Sequence, residues 1–302
     1  MPTDLPARAA PARNQRLVLA GKGRIACTVA GHVRKALASS PTDWTVLGLP
    51  VRGDNGQDSW EPSFTARCRT LGIPVLDTVT AAGLRNGDLL LSLQYDRIIR
   101  LPELGGARAY NLHFSALPRH RGCYPGIWAL RSGDTHAGVS LHVLTAGIDD
   151  GAIVDQTLIP LRDNTTAREL YEEMHHCGAL LVQRHLADLM RDRVRSHPQD
   201  DAQATYHDRR SVDFNDRELP FAELDAASCS RLARSLIFPP FQHPTVRGRA
   251  IVACEVASDV ASTPSTKAGL DIHIEAADIW LLRCREGWLR ASLAPLASET
   301  SP

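Results

Sequence analysis

RLVLAGKGRIACTVAGHVRKAL, residues 16–37, is the stretch from which the fold is read. Arg16–Ala20 is a short apolar run with strand character, and it stops at the turn Gly21-Lys22-Gly23. From Ile25 to Leu37 the apolar residues recur at helical spacing. A strand passing through a glycine turn into a helix is half of a βαβ unit, and the same alternation continues outward. Trp44–Val51 and Gly72–Leu76 (GIPVL) read as further strands. Asp88–Leu93 (DLLLSL) is a continuous apolar run of the kind buried on both faces of a parallel sheet. The alternation predicts a doubly wound, Rossmann-like α/β domain, whose ligand would sit beyond the carboxyl ends of the strands.

Farther along, a helix is expected from about Thr166 to Val194. Thr166-x-x-Glu169 forms a capping-box pattern at its start, and Leu170, Met174, Leu181 and Leu189 are placed for its buried stripe. SHPQDDAQAT, residues 196–205, is polar and lacks apolar anchors, so it reads as a linker. Beyond Tyr206 the texture changes. A short helix around Ala226–Ser235 precedes strand-like segments at Ala250–Val256, Leu270–Ala276, Ile279–Cys284 and Trp288–Leu293, several alternating in polarity. The expected organisation is therefore a mobile tail over residues 1–14, a catalytic α/β domain over 15–203, and a smaller mainly-β domain over 204–302. A small barrel (OB-like) or a sandwich is expected for the last.

Composition narrows the classes. The chain has 302 residues, 43% hydrophobic and 23% charged, enough to bury a substantial core. No run approaches the roughly 18 apolar residues of a membrane span, and the N-terminus lacks an apolar signal-peptide core. Seven scattered cysteines with no C-x-x-C pair argue against a disulfide framework and a zinc site, so no metal is expected and a reducing cytoplasm is favoured. Net charge is zero, and from Thr205 onward 11 Lys/Arg face 13 Asp/Glu, which disfavours a nucleic-acid partner.

The chemistry is concentrated between Asn111 and Asp149. Asn111 and His113 lie at i and i+2 on what reads as a strand end and so face the same side. An amide can donate to a developing oxyanion, and an imidazole can exchange a proton near neutral pH. Asp149 or Asp150, in a glycine-flanked turn, could orient that imidazole as carboxylates do in catalytic triads. Between them runs SALPRHRGCYPG, an irregular cationic loop holding Ser115, Arg121 and Tyr124. Acyl transfer is the leading reading. Gly21-Lys-Gly23-Arg-Ile-Ala26 also satisfies a dinucleotide-binding pattern, but no acidic residue closes the second strand: Asp43 precedes it and Asp54 lies well past it. A phosphate held by Lys22 and the helix N-terminus remains open beside a plain packing turn. His120, His142, His243 and the pair His175-His176 read as packed or solvated.

Read together, Asn111-Leu-His113-Phe-Ser115-Ala-Leu117-Pro118-Arg-His-Arg121-Gly122, then Pro125, Trp128-Ala129, Gly138-Val139, His142 and Gly147-Ile148-Asp149-Asp-Gly151 resemble the folate-dependent formyltransferase family. Ala116, Ser140 and Asp150 depart from its pattern, at none of the three catalytic positions. The resemblance implies that Asn111, His113 and Asp149 are the catalytic trio, with Asp149 and not Asp150 as the carboxylate. It also implies 10-formyltetrahydrofolate as the formyl donor. By the same resemblance the Asp88–Ile99 segment, through Ser92, Leu93, Gln94, Tyr95 and Ile98, cradles the pterin together with Gly147 and Ile148. Lys22, Ser115, Arg121 and Tyr124 are then candidates for substrate contact, with a loop-shaping role as the alternative for Arg121. Residues 206–214, 231–235 and 238–244 further resemble sugar N-formyltransferases, which act on nucleotide-linked 4-amino-dideoxy sugars and are usually homodimers. Other small amines (a hydroxyornithine, an antibiotic precursor) and methionyl-tRNA are the alternative acceptors. A folate- or nucleotide-binding module without turnover is the non-enzymatic alternative.

Overall fold

The computed structural model describes residues 14–39, 44–260 and 271–295. The expected tail lies outside these residues but for Asn14, as does Leu270.

Strand β1 (Gln15–Gly21) enters helix α1 (Gly23–Ser39) through a one-residue turn, and β2 (Trp44–Pro50) follows. Gly23 is required there twice over. Its φ is +58°, and a Cβ would lie 1.8 Å from a carboxylate oxygen of Glu61. Helix α2 (Phe64–Thr70) starts at Ser63, whose side chain accepts from the Ala66 N–H. Strands β3 (Leu89–Leu93) and β4 (Arg108–His113) come next. β1 pairs in parallel with both β2 and β3, and β3 with β4. All five residues of β3 are buried, as expected of a central parallel strand.

Gly72–Leu76 does not form the expected strand. Only an isolated bridge joins Gly48 to Val75, flanked by bonds from the Gly48 N–H to Pro74 and from the Leu76 N–H to Gly48. Pro74 has no N–H to donate, so the ladder cannot propagate.

A two-residue strand, β5 (Arg121–Gly122), precedes helix α3 (Pro125–Ser132), β6 (His136–Val143) and β7 (Ile153–Pro160). The large sheet has the order β2-β1-β3-β4-β6-β7. Helix α4 (Ala167–Met190) follows; its capping box is formed, with Thr166 N–H donating to Glu169 at 2.9 Å and Glu169 N–H to the Thr166 hydroxyl at 3.3 Å. Leu170, Met174, Leu181 and Leu189 are all buried. The helix ends four residues before the expected point because Asp192 takes a left-handed φ of 56°.

After α4, β8 (Tyr206–His207) pairs in parallel with β5. Then come α5 (Ala226–Leu236), β9 (Thr245–Val246), β10 (Arg249–Val256), β11 (Ile272–Ala276), β12 (Ile279–Arg283) and β13 (Trp288–Leu293). The last five make an antiparallel sheet of order β11-β12-β13-β10-β9. Cys229 and Ala233 of α5 pack with Ile251, Leu282, Leu289, Ala291 and Leu293. Among the described residues this sheet is open, not an OB-like barrel: α5 covers the face that further strands would need.

The chain groups into two compact units. One holds residues up to His113 with Leu141–Ala146 and Ala179–Ser196; the other holds Phe114–Ser140, Gly147–Gly178 and the residues from His197 onward. No described helix is long and apolar enough to cross a membrane.

Candidate active site

Within the first unit, β4 presents Asn111 half-buried and His113 buried at its carboxyl end. Both approach His142 of β6. The Asn111 amide nitrogen lies 3.1 Å from His142 Nε2, and the His113 and His142 rings stand edge to face with centroids 6.5 Å apart. Asn111 and His113 thus share one side of the strand, as the i, i+2 spacing predicts. The Val143 carbonyl lies 2.9 Å from His142 Nδ1 and can only accept, so Nδ1 carries the ring proton. Nε2 is then the acceptor, and the Asn111 amide donates to it. One N–H of Asn111 is thus held by His142. His142, expected from sequence to be packed or solvated, is buried, and the contact with Asn111 is what the sequence does not show.

The proposed folate segment divides. Ser92 and Leu93 are buried in β3, with their backbone in register with Asn111 and Leu112. The Leu93 carbonyl also accepts from the Lys22 N–H at 3.2 Å. The residues past the strand end are less buried. Gln94 takes a φ of 59°, the Tyr95 hydroxyl accepts from Arg97 Nε at 3.0 Å, and Ile98 is 79% exposed. Lys22 stands beside the start of α1, but the Glu61 carboxylate is seated against Gly23, so this chain already supplies an anion at that helix start.

In the second unit, Asp149 is half-buried and Asp150 exposed. Asp149 Oδ2 accepts from the Gly122 N–H at 2.9 Å. The Asp150 carboxylate folds back over Gly147, where a Cβ would meet it at 1.9 Å. The carboxylate that engages the Arg121-Gly122 loop is therefore the one the motif indicates.

That loop is held from several sides. The Ser115 hydroxyl is buried and donates to the Arg119 carbonyl at 2.8 Å, while the Ser115 carbonyl accepts from Ser140 at 2.6 Å. Gln156 Nε2 donates to the Leu117 carbonyl at 2.8 Å and to the Ser140 hydroxyl at 2.7 Å. Arg121 donates to Gln199 from Nε at 3.1 Å and from Nη2 at 2.8 Å, and it pairs with Asp201 at 2.7 Å. Gln199 in turn donates to the carbonyls of Asp149 and Gly151, both at 2.8 Å. The Arg121 guanidinium thus shapes the loop, the alternative role that the sequence left open. Gln199 was missed altogether, because it lies in the polar stretch read as a linker. That stretch is in fact fastened, since His197 exchanges backbone bonds with Ile153 as well.

A second brace runs through histidines. His120 Nε2 lies 2.8 Å from Asp134, and its Nδ1 lies 3.2 Å from His207 Nε2. The His207 ring stacks on Trp128 at 4.1 Å with 5° between the planes. Burial, and then the charge of His120, push the His207 pKa below its ordinary value of 6.5.

Backbone strain marks the same residues. Among the described residues the non-glycine positions with positive φ are Gln94, His120, Tyr124, Asp149, Asp192 and Arg247. Three of these were already singled out as site candidates. Tyr124 is the most unusual of them, a bulky residue at φ 56° with its ring edge-on to Phe214, centroids 5.1 Å apart. Left-handed residues of this kind persist where packing over-determines them, and they collect at functional sites. Among the described residues no group of three His, Cys, Asp or Glu side chains is arranged to hold a metal ion.

Comparison with known proteins agrees with this picture. Residues 84–185 match the formyl transferase family. The methionyl-tRNA formyltransferase of Synechococcus sp. (strain JA-3-3Ab) is 29% identical over 188 residues, covering 56% of this chain and 58% of the relative. That of Nitrosospira multiformis is 30% identical over 166 residues, covering 55% and 51%. The chain thus spans just over half the length of these curated relatives. Among solved structures, a sugar 3N-formyl transferase with dTDP and 5-N-formyl-THF superposes with a TM-score of 0.80 at 21% identity, covering 95% of this chain and 100% of the other. An N-formyltransferase from Helicobacter canadensis, solved with folinic acid and dTDP-3-aminofucose, gives 0.79 at 23% identity, covering 93% and 100%. At such identities the structural likeness establishes the fold.

Proposed function

We propose that this chain, whose residues 84–185 match the formyl transferase family, is an N-formyltransferase. It moves the formyl group of 10-formyltetrahydrofolate to the primary amine of a nucleotide-linked amino-dideoxy sugar, the 4-amino compound first among them. The donor is consumed and so counts as a second substrate. The observation that carries the reading is the Asn111 amide, fixed by His142 at 3.1 Å beside His113 at the end of β4. An amide whose direction is fixed in this way can be aimed at a developing oxyanion.

In this mechanism the neutral amine attacks the formyl carbon, and negative charge grows on the formyl oxygen. Asn111 donates to that oxygen. His113 takes the proton of the attacking amine and returns it to the departing folate nitrogen, directly or through water. Asp149 is assigned as the carboxylate of the trio, and it holds the loop through Gly122. Gln94, Tyr95, Ile98, Gly147 and Ile148 would hold the donor. The exposed side chains of Ile98 and Ile148, 79% and 46% accessible, suit the flat face of a pterin. We further assign Tyr124 to the acceptor, and the active form to a homodimer in the cytoplasm, free of nucleic acid and membrane.

A second acceptor has support from the curated relatives, which are methionyl-tRNA formyltransferases. The slightly acidic residues after Thr205 favour the sugar nucleotide, since a tRNA reader needs a cationic surface. One assay decides. 10-Formyltetrahydrofolate is supplied with dTDP-linked 3- and 4-amino sugars, with hydroxyornithine and with charged initiator tRNA, and tetrahydrofolate release is followed. Fast turnover on an amino sugar supports the reading. Turnover on tRNA alone overturns the acceptor, and folate binding with no turnover on any amine overturns the enzyme.

A further inference from the structure

A cavity of about 620 Å³ opens between α1 and α2 of the first unit, built from none of the residues assigned to formyl transfer. It is lined from α1 by Cys27, Thr28, Gly31 and His32, and from the other side by Asp58, Ser63, Arg67 and Thr70 among others. Its size falls within the several hundred Å³ typical of small-molecule sites.

Some lining groups are already engaged. The Ser63 hydroxyl contacts Asp54 and accepts from the Ala66 N–H, and Thr70 donates to the Ala66 carbonyl at 3.1 Å. Cys27 is buried, and burial pushes its thiol up to about 12, so it is no nucleophile. Other groups are not engaged. The Arg67 guanidinium has no hydrogen-bond or ion-pair partner among the described residues, although it is half-buried. Asp58 accepts the Ser63 N–H on Oδ1 at 2.8 Å, which leaves Oδ2. His32 Nδ1 is closed off from solvent with no partner among the described residues. A buried polar atom without a partner, as His32 Nδ1 is among the described residues, is uncommon in a folded protein, while Arg67 and the exposed Asp58 keep hydrogen-bonding capacity for a ligand.

The cavity is also pre-formed. Asp54 accepts from Gly56 N–H at 3.1 Å and Thr65 N–H at 2.9 Å, which pins the 54–65 segment against the start of α2. Gly31 makes the room on the α1 side. A Cβ there would stand 3.0 Å from Arg67 Nη2, so the absent side chain lets the guanidinium lie across the helix. Glycine inside a helix is less stable than alanine, a cost that the seat for Arg67 explains.

We propose that this cavity is a second small-molecule site, for a hydroxylated metabolite bearing an oxyanion. The planar fork of Arg67 binds the phosphate or carboxylate, and the Thr28 hydroxyl adds a donor. Asp58 would repel a bare anion, so it selects a ligand that turns a hydroxyl or amino group toward Oδ2. A phosphate ester and a hydroxy acid share this chemistry, and the test separates them.

Titration calorimetry of the full chain with ribose 5-phosphate and with L-malate, at constant ionic strength, provides the test. One saturable site is expected for at least one probe, with a Kd below about 1 mM. Arg67→Gln should weaken it tenfold or more, as the loss of a charge-assisted hydrogen bond does. Thr28→Val, which alters no charge, should weaken it by a smaller factor. Formyl transfer by Arg67→Gln should match the wild type. A response to ribose 5-phosphate alone identifies a phosphate site, and a response to malate alone a carboxylate site. The proposal fails if neither probe saturates the wild type, or if Arg67→Gln, melting at the wild-type temperature, binds as the wild type does.

Discussion

Asn111 is the residue on which the chemistry turns, and its amide can be tested directly. Removal of one oxyanion donor typically lowers kcat by about 10²–10³-fold. Asn111→Ala should do so while the melting temperature stays close to wild type, because the residue is only half-buried. His142→Phe probes the hold on that amide. Losing one hydrogen bond of about 1 kcal/mol lets the amide rotate, so kcat should fall roughly five- to tenfold with little change in KM. An unchanged kcat would show that Asn111 needs no partner at Nε2. Asp149→Asn is the complementary case. The amide oxygen can still accept from Gly122 N–H, so the loop should keep its place while turnover is nearly lost, as activity and hydrogen exchange measured on one sample would show.

At the scale of elements, the stretch around residues 196–207 changes meaning between sequence and structure. Its polar side chains read as a linker because nothing apolar anchors them, yet the anchoring is polar. Gln199 joins Arg121 to the carbonyls of Asp149 and Gly151, and β8 pairs with β5. Gln199→Ala should destabilise the protein by about 1–3 kcal/mol, since buried acceptors lose their donor. It should also speed amide exchange near residues 119–123 and 149–151. The histidine brace adds a pH dependence. The His207 pKa is depressed by burial and by His120, so the unfolded chain binds the proton more readily. The stability it contributes is complete above its ordinary 6.5 and is lost as pH falls through that value toward the depressed folded one. Denaturant melts between pH 7.5 and 5.5 should show this loss, and His207→Gln should flatten it.

For the whole molecule, net charge is the quantity that separates the acceptors. With a formal charge of zero the protein has no broad cationic field to concentrate a polyanion. Rates on a nucleotide-linked amine should therefore change by less than about threefold between 50 and 200 mM salt. A protein that contacts six to ten tRNA phosphates would lose roughly 10³–10⁵ in affinity over that range. A steep salt dependence with any active acceptor would reverse the ranking proposed here.

Periodicity and motif order were legible without coordinates. β1, α1, β2, β3, the capped α4 and the strands after Arg249 fall close to their expected bounds, because burial on one or both faces writes itself into local spacing. Helix α3 and strands β6 and β7 were passed over, their apolar residues being interrupted by glycines and polar groups that face other parts of the fold. Gly72–Leu76 failed as a strand for a local reason, the missing N–H of Pro74. The Asn-x-His pair is likewise legible as a spacing, whereas the preference for Asp149 over Asp150 comes from the family resemblance. What only the tertiary structure decided is which polar groups meet. Asn111 finds His142 across 31 positions, Gln199 finds Asp149 across 50, and Arg121 finds Gln199 across 78. A hydrogen bond depends on distance and direction in space, and local sequence spacing encodes neither once the chain has crossed from one element to the next.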